Sequence, residues 1–344
     1  MRTPVDLRGT RRREAGRTMA DEIAEQPEAL ARLLDRGASA IRATARRIAE
    51  RRPRFVLLAA RGSSDHAALY GKYLCEVELG LPCGLASMST VTAYGTAPHF
   101  ADVLVVAVSR SGGSPDLVGF TRAARRGGAT TLAVTNNPDS PLAEAAEFQV
   151  DVLAGPERAL PATKTYTAQL LALHLLVRGI RDREPTEARV LPALAARVLA
   201  RSREVRQLAA RYRFAGRMVV TSRGYGLPTA KETALKLMET CAMPVLGSSG
   251  ADLLHGPLAA VDTVSPVIAI VTEGSGGDAL QPVLDRLHGR GADLMVVGPA
   301  SQARAASAGF ALPTCGLPES LQPIPEILPL QQLAHDMAVA RGRM

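Results

Sequence analysis

Phe55-Val-Leu-Leu-Ala-Ala-Arg-Gly62 and Arg217-Met-Val-Val-Thr-Ser-Arg-Gly224 are near-copies set far apart in the 344-residue chain. Each reads as a short, largely apolar run, the mark of a strand buried on both faces, delivered into an Arg-Gly loop. Around the first copy the pattern continues with apolar strands at Asp102-Val-Leu-Val-Val-Ala-Val108 and Thr130-Thr-Leu-Ala-Val-Thr135, the latter closed by Asn136-Asn137-Pro138. Around the second it continues at Val264–Val271 and Asp293–Val297, with a helix between. Helical periodicity covers Arg17–Arg36, Ala38–Glu50 and Thr165–Gly179. Strands alternating with helices imply a parallel sheet covered on both faces, and the restart implies two such units of ordinary domain size. The fold class is therefore α/β, as two tandem three-layer α/β/α sandwiches. The expected boundaries are a disordered basic tail over 1–17, a first domain with leading helices over 18–180, linker helices over 181–213 and a second domain over 214–344.

Composition narrows the function classes. Apolar content of 47% and charged content of 22% are those of a soluble globule. Trp is absent and aromatics are 3%, which argues against an aromatic platform for nucleic acid. The net charge of +8 is concentrated at Arg2, Arg8, Arg11, Arg12, Arg13 and Arg17, against Asp6 and Glu14. Elsewhere the positive bias suits an anionic substrate. Cys75, Cys83, Cys241 and Cys315 lack C-x-x-C spacing, so they read as reduced thiols of a cytoplasmic protein. The apolar run Leu170–Val177 is too short for a membrane span, and the N-terminus lacks a signal-peptide core.

Ser109-Arg-Ser-Gly-Gly-Ser114 joins a buried strand to a helix that opens with Pro115. Free backbone N–H groups, the helix dipole and three hydroxyls suit a phosphate there, and the bland alternative is a plain turn. It is neither a P-loop nor a dinucleotide fingerprint. Ser63 and Ser64 end the neighbouring strand; they either reach the same ligand or cap the next helix, as Asp65 could. Gly274-Ser-Gly-Gly277 follows a strand in the same way without the serine cluster, and reads as a degenerate, structural copy. No G-x-S-x-G elbow supports a hydrolase triad. Asp252 and His255 lack the further ligands of a metal site, so no metal and no cofactor is expected.

In the second unit Glu232-Thr-Ala-Leu-Lys236-Leu-Met-Glu239 places two carboxylates and a lysine at i, i+4 and i+7, one face of a helix. Alone, this is equally a surface i,i+4 ion pair of little energetic weight. At the carboxyl edge of a sheet it can move protons.

Taken together these residues resemble the isomerase half of glucosamine-6-phosphate synthase, two tandem sugar isomerase (SIS) domains. The resemblance runs from about Met19 to Val339. It rests on Met19-x-x-Glu22-Ile23-x-Glu25-Gln26-Pro27, Arg61-Gly-Ser-Ser64, the 109–114 loop, Ala162-Thr-Lys-Thr-Tyr-Thr-Ala-Gln-Leu170, the 232–239 stripe and His255-Gly-Pro-Leu258. The resemblance implies that Ser63, Ser109, Ser111 and Ser114 hold a sugar phosphate, with Ser64, Arg110 and Thr163 beside it. It implies that Glu239 moves the C2 proton, that Lys236 and Glu232 position or polarise groups at C1 and C2, and that His255 opens the pyranose ring from a second subunit of a homodimer.

The departures from that family shape the expected chemistry. No glutaminase domain or N-terminal nucleophilic cysteine precedes the matching segment, so glutamine-dependent amidotransfer is not expected. Arg110 and Gly113 stand where Gln and Glu are usual, and Leu160-Pro-Ala-Thr-Lys164 replaces Val-Ala-Ser-Thr-Lys. Asp252-Leu-Leu254 replaces Glu-Leu-Lys, and the tail lysine that forms a Schiff base with a ketose is missing, the last lysine being Lys236. A buried Glu239 with a raised pKa could take the C2 proton near neutral pH. Three outcomes follow: dehydration (a lyase reaction) of N-acetylglucosamine 6-phosphate, placed first; deamination–isomerisation of glucosamine 6-phosphate to fructose 6-phosphate and ammonia; or a non-catalytic phosphosugar sensor.

Overall fold

A computed structural model describes residues 7–314 and 316–344. The chain divides into two units. One comprises Glu28–Pro156 and Lys164–Pro192; the other comprises residues up to Pro27, Glu157–Thr163 and Ala193–Met344. The expected 18–180 and 214–344 spans follow the sheets, but the leading helix and the 157–163 loop belong to the unit of the second sheet. The expected linker forms helices Leu191–Leu199 and Ser202–Tyr212.

The first unit holds five parallel strands, β1 (Phe55–Ala59), β2 (Cys83–Leu85), β3 (Val103–Ser109), β4 (Thr130–Thr135) and β5 (Phe148–Asp151), in the order β2-β1-β3-β4-β5. Their apolar runs are buried as the lack of alternation requires. On one side helix Lys164–Ile180 packs on Ser63–Leu74 and on Ala38–Glu50. It is almost entirely buried, with an apolar middle from Leu170 to Val177. On the other side Leu117 and Phe120 of helix Pro115–Arg126 join Val105 and Ala107 in the core.

The second unit repeats the plan with β6 (Met218–Ser222), β7 (Val245–Ser249), β8 (Val267–Ile270), β9 (Leu294–Gly298) and β10 (Ala308–Ala311), in the order β10-β9-β8-β6-β7. Helix Gly226–Cys241 packs against β6, β7 and the final helix Pro323–Ala340. Leu284 and Leu287 of helix Gln281–Gly289 close the other face against Ala269 and Val296. Each sheet reverses its winding direction once, between β1 and β3 and between β6 and β8. Ligands of open α/β sheets bind in the crevice at such a reversal.

The expected disordered tail over 1–17 needs correction. From Leu7 the backbone is helical and runs to Ala24, while residues 1–6 lie outside the described residues. Met19 and Ile23 are buried against Ala159, and the His335 Nε2 lies 3.1 Å from the Gly16 carbonyl oxygen. A helix anchored there extends backward readily through Arg, Glu and Ala, which have good helix propensity. Cys75, Cys83 and Cys241 are unpaired thiols; Cys315 lies outside the described residues.

Candidate active site

In the first unit, β3 delivers Ser109 to the carboxyl edge of the sheet beside the end of β1. The backbone turns at Gly112, whose φ is +65°. A Cβ there would lie 2.1 Å from the Ser140 hydroxyl oxygen, so glycine alone fits the turn. The Gly112 N–H donates to Ser109 Oγ at 3.0 Å, and the Gly113 N–H donates to Ser111 Oγ at 3.3 Å. Ser114 is the N-cap of helix Pro115–Arg126, with extended backbone, yet its hydroxyl makes no capping bond. That hydroxyl and the N–H groups of the first turn face a helix N-terminus suited to an anion. Asp116, in the same turn, is ion-paired to Arg61. Ser109, Arg110 and Ser111 thus share one loop, and the Arg110 carbonyl accepts from the Asn136 N–H at 3.2 Å.

Ser63 and Ser64 open helix Ser63–Leu74 rather than capping it. The N-cap is Gly62, with φ +58° and no side chain to offer, and Asp65 lies inside the helix. Ser64 is buried, and its hydroxyl accepts from Gln169 Nε2 at 3.0 Å. Ser63 is half-buried at the mouth of the same turn.

In the second unit, helix Gly226–Cys241 carries the acid–lysine stripe. Lys236 and Glu232 are fully buried, with Nζ 3.4 Å from Glu232 Oε1 and 2.5 Å from Glu239 Oε2. The ammonium therefore stands between the two carboxylates. Glu239 is 39% exposed rather than buried, because with Met238 it faces outward in the last turn, while Thr240 and Cys241 after it stay buried. Its carboxylate opens into a cavity of about 850 Å³ that includes Arg158, Leu160, Thr240 and Arg343. That volume is ordinary for a small-molecule site. His255 is exposed at the end of helix Gly250–Leu254 and does not line this cavity. Thr163 is fully buried: its N–H donates to Glu157 Oε1 at 2.8 Å and its carbonyl accepts from Gln331 Nε2 at 3.2 Å.

Two supporting features were not legible in advance. Glu22, nearly buried, accepts from the N–H groups of Arg158 and Ala159, pinning the 157–163 loop beside Glu239. Gln26 bridges to Gln331 at 2.8 Å, extending the same clamp. Both residues sit in the leading motif, whose spacing signalled only a helix. The Gly274–Gly277 loop is the counterpart of the serine loop, and its N–H groups are taken by the carboxylate of Glu319. A smaller cavity of about 350 Å³ in the first unit, flanked by Leu34, Arg42, Leu175 and Glu184, contains none of the sequence-predicted residues. Among the described residues no helix is long and apolar enough to cross a membrane, and no group of three or more His, Cys, Asp or Glu could hold a metal ion.

Comparison with known proteins bears on both units. The SIS domain matches residues 51–178 and 212–340. A glutamine–fructose-6-phosphate aminotransferase (isomerizing) of Halobacterium salinarum is 32% identical over 94% of this chain and 56% of its own length. The chain thus spans just over half of that relative. Among solved structures, a candidate phosphosugar isomerase from Silicibacter pomeroyi superposes with a TM-score of 0.85 at 32% identity, covering 95% of this chain and 98% of the other. A glucosamine-6-phosphate deaminase from Thermotoga maritima shares the fold, with a TM-score of 0.77 at 19% identity over 94% of this chain and 95% of the other.

Proposed function

The chain belongs to the SIS-domain family, with two copies of the domain, and from that premise we propose that it is an enzyme abstracting the C2 proton of a ring-opened amino-sugar 6-phosphate. The preferred outcome is dehydration of N-acetylglucosamine 6-phosphate. The single observation that carries the reading is the buried Lys236 flanked by Glu232 and Glu239, with Glu239 open to a cavity large enough for a sugar.

The roles follow from the chemistry of each side chain. Ser63, Ser109, Ser111 and Ser114 hold the phosphate, with Ser64, Arg110 and Thr163 supporting the neighbouring loops. His255, supplied by the second subunit of a homodimer, assists ring opening. Glu239 takes the proton from C2, next to the C1 aldehyde. Lys236 stabilises the negative charge that develops, and Glu232 holds Lys236 in place. The electron pair from the broken C2–H bond forms a C2–C3 double bond as the C3–O bond breaks, and the hydroxyl leaves as water after taking up a proton. An amide nitrogen at C2 is a poor imine former, which favours this elimination over loss of ammonia. A cytoplasmic setting fits a phosphorylated substrate.

The alternative is deamination of glucosamine 6-phosphate, and a sensor without chemistry is the third reading. Incubation with each sugar, followed by ammonia assay and product mass, separates them. Loss of 18 Da (the mass of one water, about one oxygen and two hydrogens) from the N-acetyl sugar without ammonia supports dehydration, whose proton transfer is general base catalysis. Ammonia in step with glucosamine 6-phosphate consumption replaces that reading by the deaminase. Tight phosphosugar binding with neither product leaves the sensor.

A further inference from the structure

The lining of the Glu239 cavity is chemically mixed. Beside charged residues such as Glu14, Arg158, Glu239 and Arg343 it has an apolar stretch at Ala159, Leu160 and Pro161, with Met344 packed against the cluster of Met19, Ile23 and Ala159. Leu160 is 91% exposed. A single exposed leucine says little by itself. This one, however, sits on a backbone held at both ends. Glu22 accepts from the Arg158 and Ala159 N–H groups on one side. On the other side Thr163 is fixed by Glu157 and Gln331. Pro161 restricts the tip further. The loop therefore holds an apolar group at a set position in water, beside the carboxylate assigned to C2 chemistry. The ordering entropy of that surface is already spent before a ligand arrives.

We infer that Leu160, Pro161 and Met344 form an acyl-reading wall, and that the substrate class is the N-acylated amino-sugar 6-phosphates, with acyl chains longer than acetyl also accepted. The inference rests on the assignment of Glu239 to C2 and extends the N-acetyl reading to longer acyl chains on the C2 nitrogen. A cavity of about 850 Å³ leaves room beyond an acetylated hexose, and the apolar wall rewards each added methylene. A free ammonium at C2 gains nothing from Leu160, whereas an acyl chain removes it from water.

The test is a rate series on glucosamine 6-phosphate carrying N-acetyl, N-propanoyl and N-butanoyl groups, with the wild type, Leu160→Ser and Met344→Ser. Leu160 is exposed, so its replacement leaves the core intact, and equal melting temperatures check this. The wild type is expected to gain about two- to fourfold in kcat/KM per added CH2, expressed in KM. In Leu160→Ser that gain should flatten, with Met344→Ser intermediate. A wild type that turns over the N-acetyl sugar but rejects the N-propanoyl sugar overturns the inference alone, as does an unchanged gain in Leu160→Ser. A wild type that consumes no N-acyl sugar, and instead releases ammonia from glucosamine 6-phosphate, overturns the dehydration reading and this inference together.

Discussion

The Glu319 carboxylate occupies the backbone cradle formed by Ser275 and Gly276. The Ser275 N–H donates to Oε2 at 3.0 Å and the Gly276 N–H donates to Oε1 at 2.8 Å. A Cβ on Gly274 or Gly276 would lie 2.4 or 2.6 Å from a Glu319 carboxylate oxygen, so the glycines admit it. The cradle follows β8, at the winding reversal of the second sheet, as the serine loop follows β3 in the first. Gly224 and Gly62, at the paired loops, share a positive φ, of +60° and +58°. In the second domain the turn's N–H groups are thus satisfied by a carboxylate of the same chain. Replacing Glu319 by Ala leaves two N–H donors without their charged acceptor. The expected loss is about 1–3 kcal/mol of stability, since hydrogen bonds to charged groups are worth more than neutral ones but Glu319 is partly exposed. Glu319→Gln should lose less. Chemical denaturation of both variants measures it, and an unchanged midpoint in Glu319→Ala refutes the staple.

Glu326 predicts a pH dependence from the same region. It is buried on the final helix, and burial pushes its carboxyl up to about 8. The Glu319 carboxylate adds to the rise, and the Thr272 hydroxyl opposes it in part. The folded state thus keeps a proton that the unfolded chain gives up near 4.5. Stability from this group is fully present below about pH 4.5 and is lost as pH rises through about 8, at up to about 1.4 kcal/mol per pH unit. Glu326→Gln has the same shape and no proton to lose. Melting temperatures between pH 5 and pH 9 should therefore fall less in this variant than in the wild type. Parallel curves contradict the assignment.

The phosphate loop makes a separate prediction. On the proposed role of these hydroxyls, holding a phosphate that does not react, Ser111→Ala and Ser114→Ala should weaken phosphosugar binding more than they slow turnover. Gly112→Ala should disrupt the loop outright, since it forces a Cβ at φ +65° into Ser140. With the Gly274 cradle filled by Glu319, calorimetry should count one phosphosugar per chain. Two equal sites contradict a filled Gly274 cradle, and unaltered affinity in both serine variants reduces the serine loop to a turn.

These predictions mark what the sequence could and could not convey. Strands such as Val103–Ser109 and Met218–Ser222 announce themselves by their apolar cores, and the Arg61-Gly62 and Arg223-Gly224 copies fix the two-domain plan. The stripe from Glu232 to Glu239 is legible because helical periodicity is local. How each member sits is less so. The stripe suggests a buried Glu239, yet its side chain faces outward beside the buried Thr240 and Cys241, while Lys236 and Glu232 lie in the core. Ser64 reads as a cap and instead meets Gln169, a partner 105 residues away. Glu22 and Glu319 were silent for the same reason. Each acts on backbone N–H groups across a long sequence separation, and nothing in the local pattern of a carboxylate says which turn it will satisfy.

Assembly is a prediction of geometry. His255 is exposed and stands outside the Glu239 cavity of its own chain. If it serves ring opening, a second copy must bring it, with the 255–258 loop at a two-fold interface. Light scattering should give a dimer. Mixing inactive Glu239→Gln with inactive His255→Ala should restore part of the activity, because hybrid dimers contain one intact site. No recovery from subunits shown to exchange, or a fully active monomer, eliminates the shared site.

The decisive prediction concerns Glu239 itself. Its carboxylate is held by the buried Lys236 and faces open space, the arrangement a base needs to reach a carbon acid. Glu239→Gln keeps the shape and removes the base, so turnover of N-acetylglucosamine 6-phosphate should fall by roughly 10²–10⁴-fold. KM should change little, since the lost interaction belongs to the transition state. Lys236→Met should also slow turnover, but it buries Glu232 without its counter-ion and should lower the melting temperature as well. That difference separates a chemical role from a structural one. In the wild type, substrate deuterated at C2 should react more slowly, or solvent deuterium should enter C2 of recovered substrate. Glu239→Gln should abolish exchange while still binding the sugar. Full activity in this variant, or exchange that persists without Glu239, assigns the proton to another base.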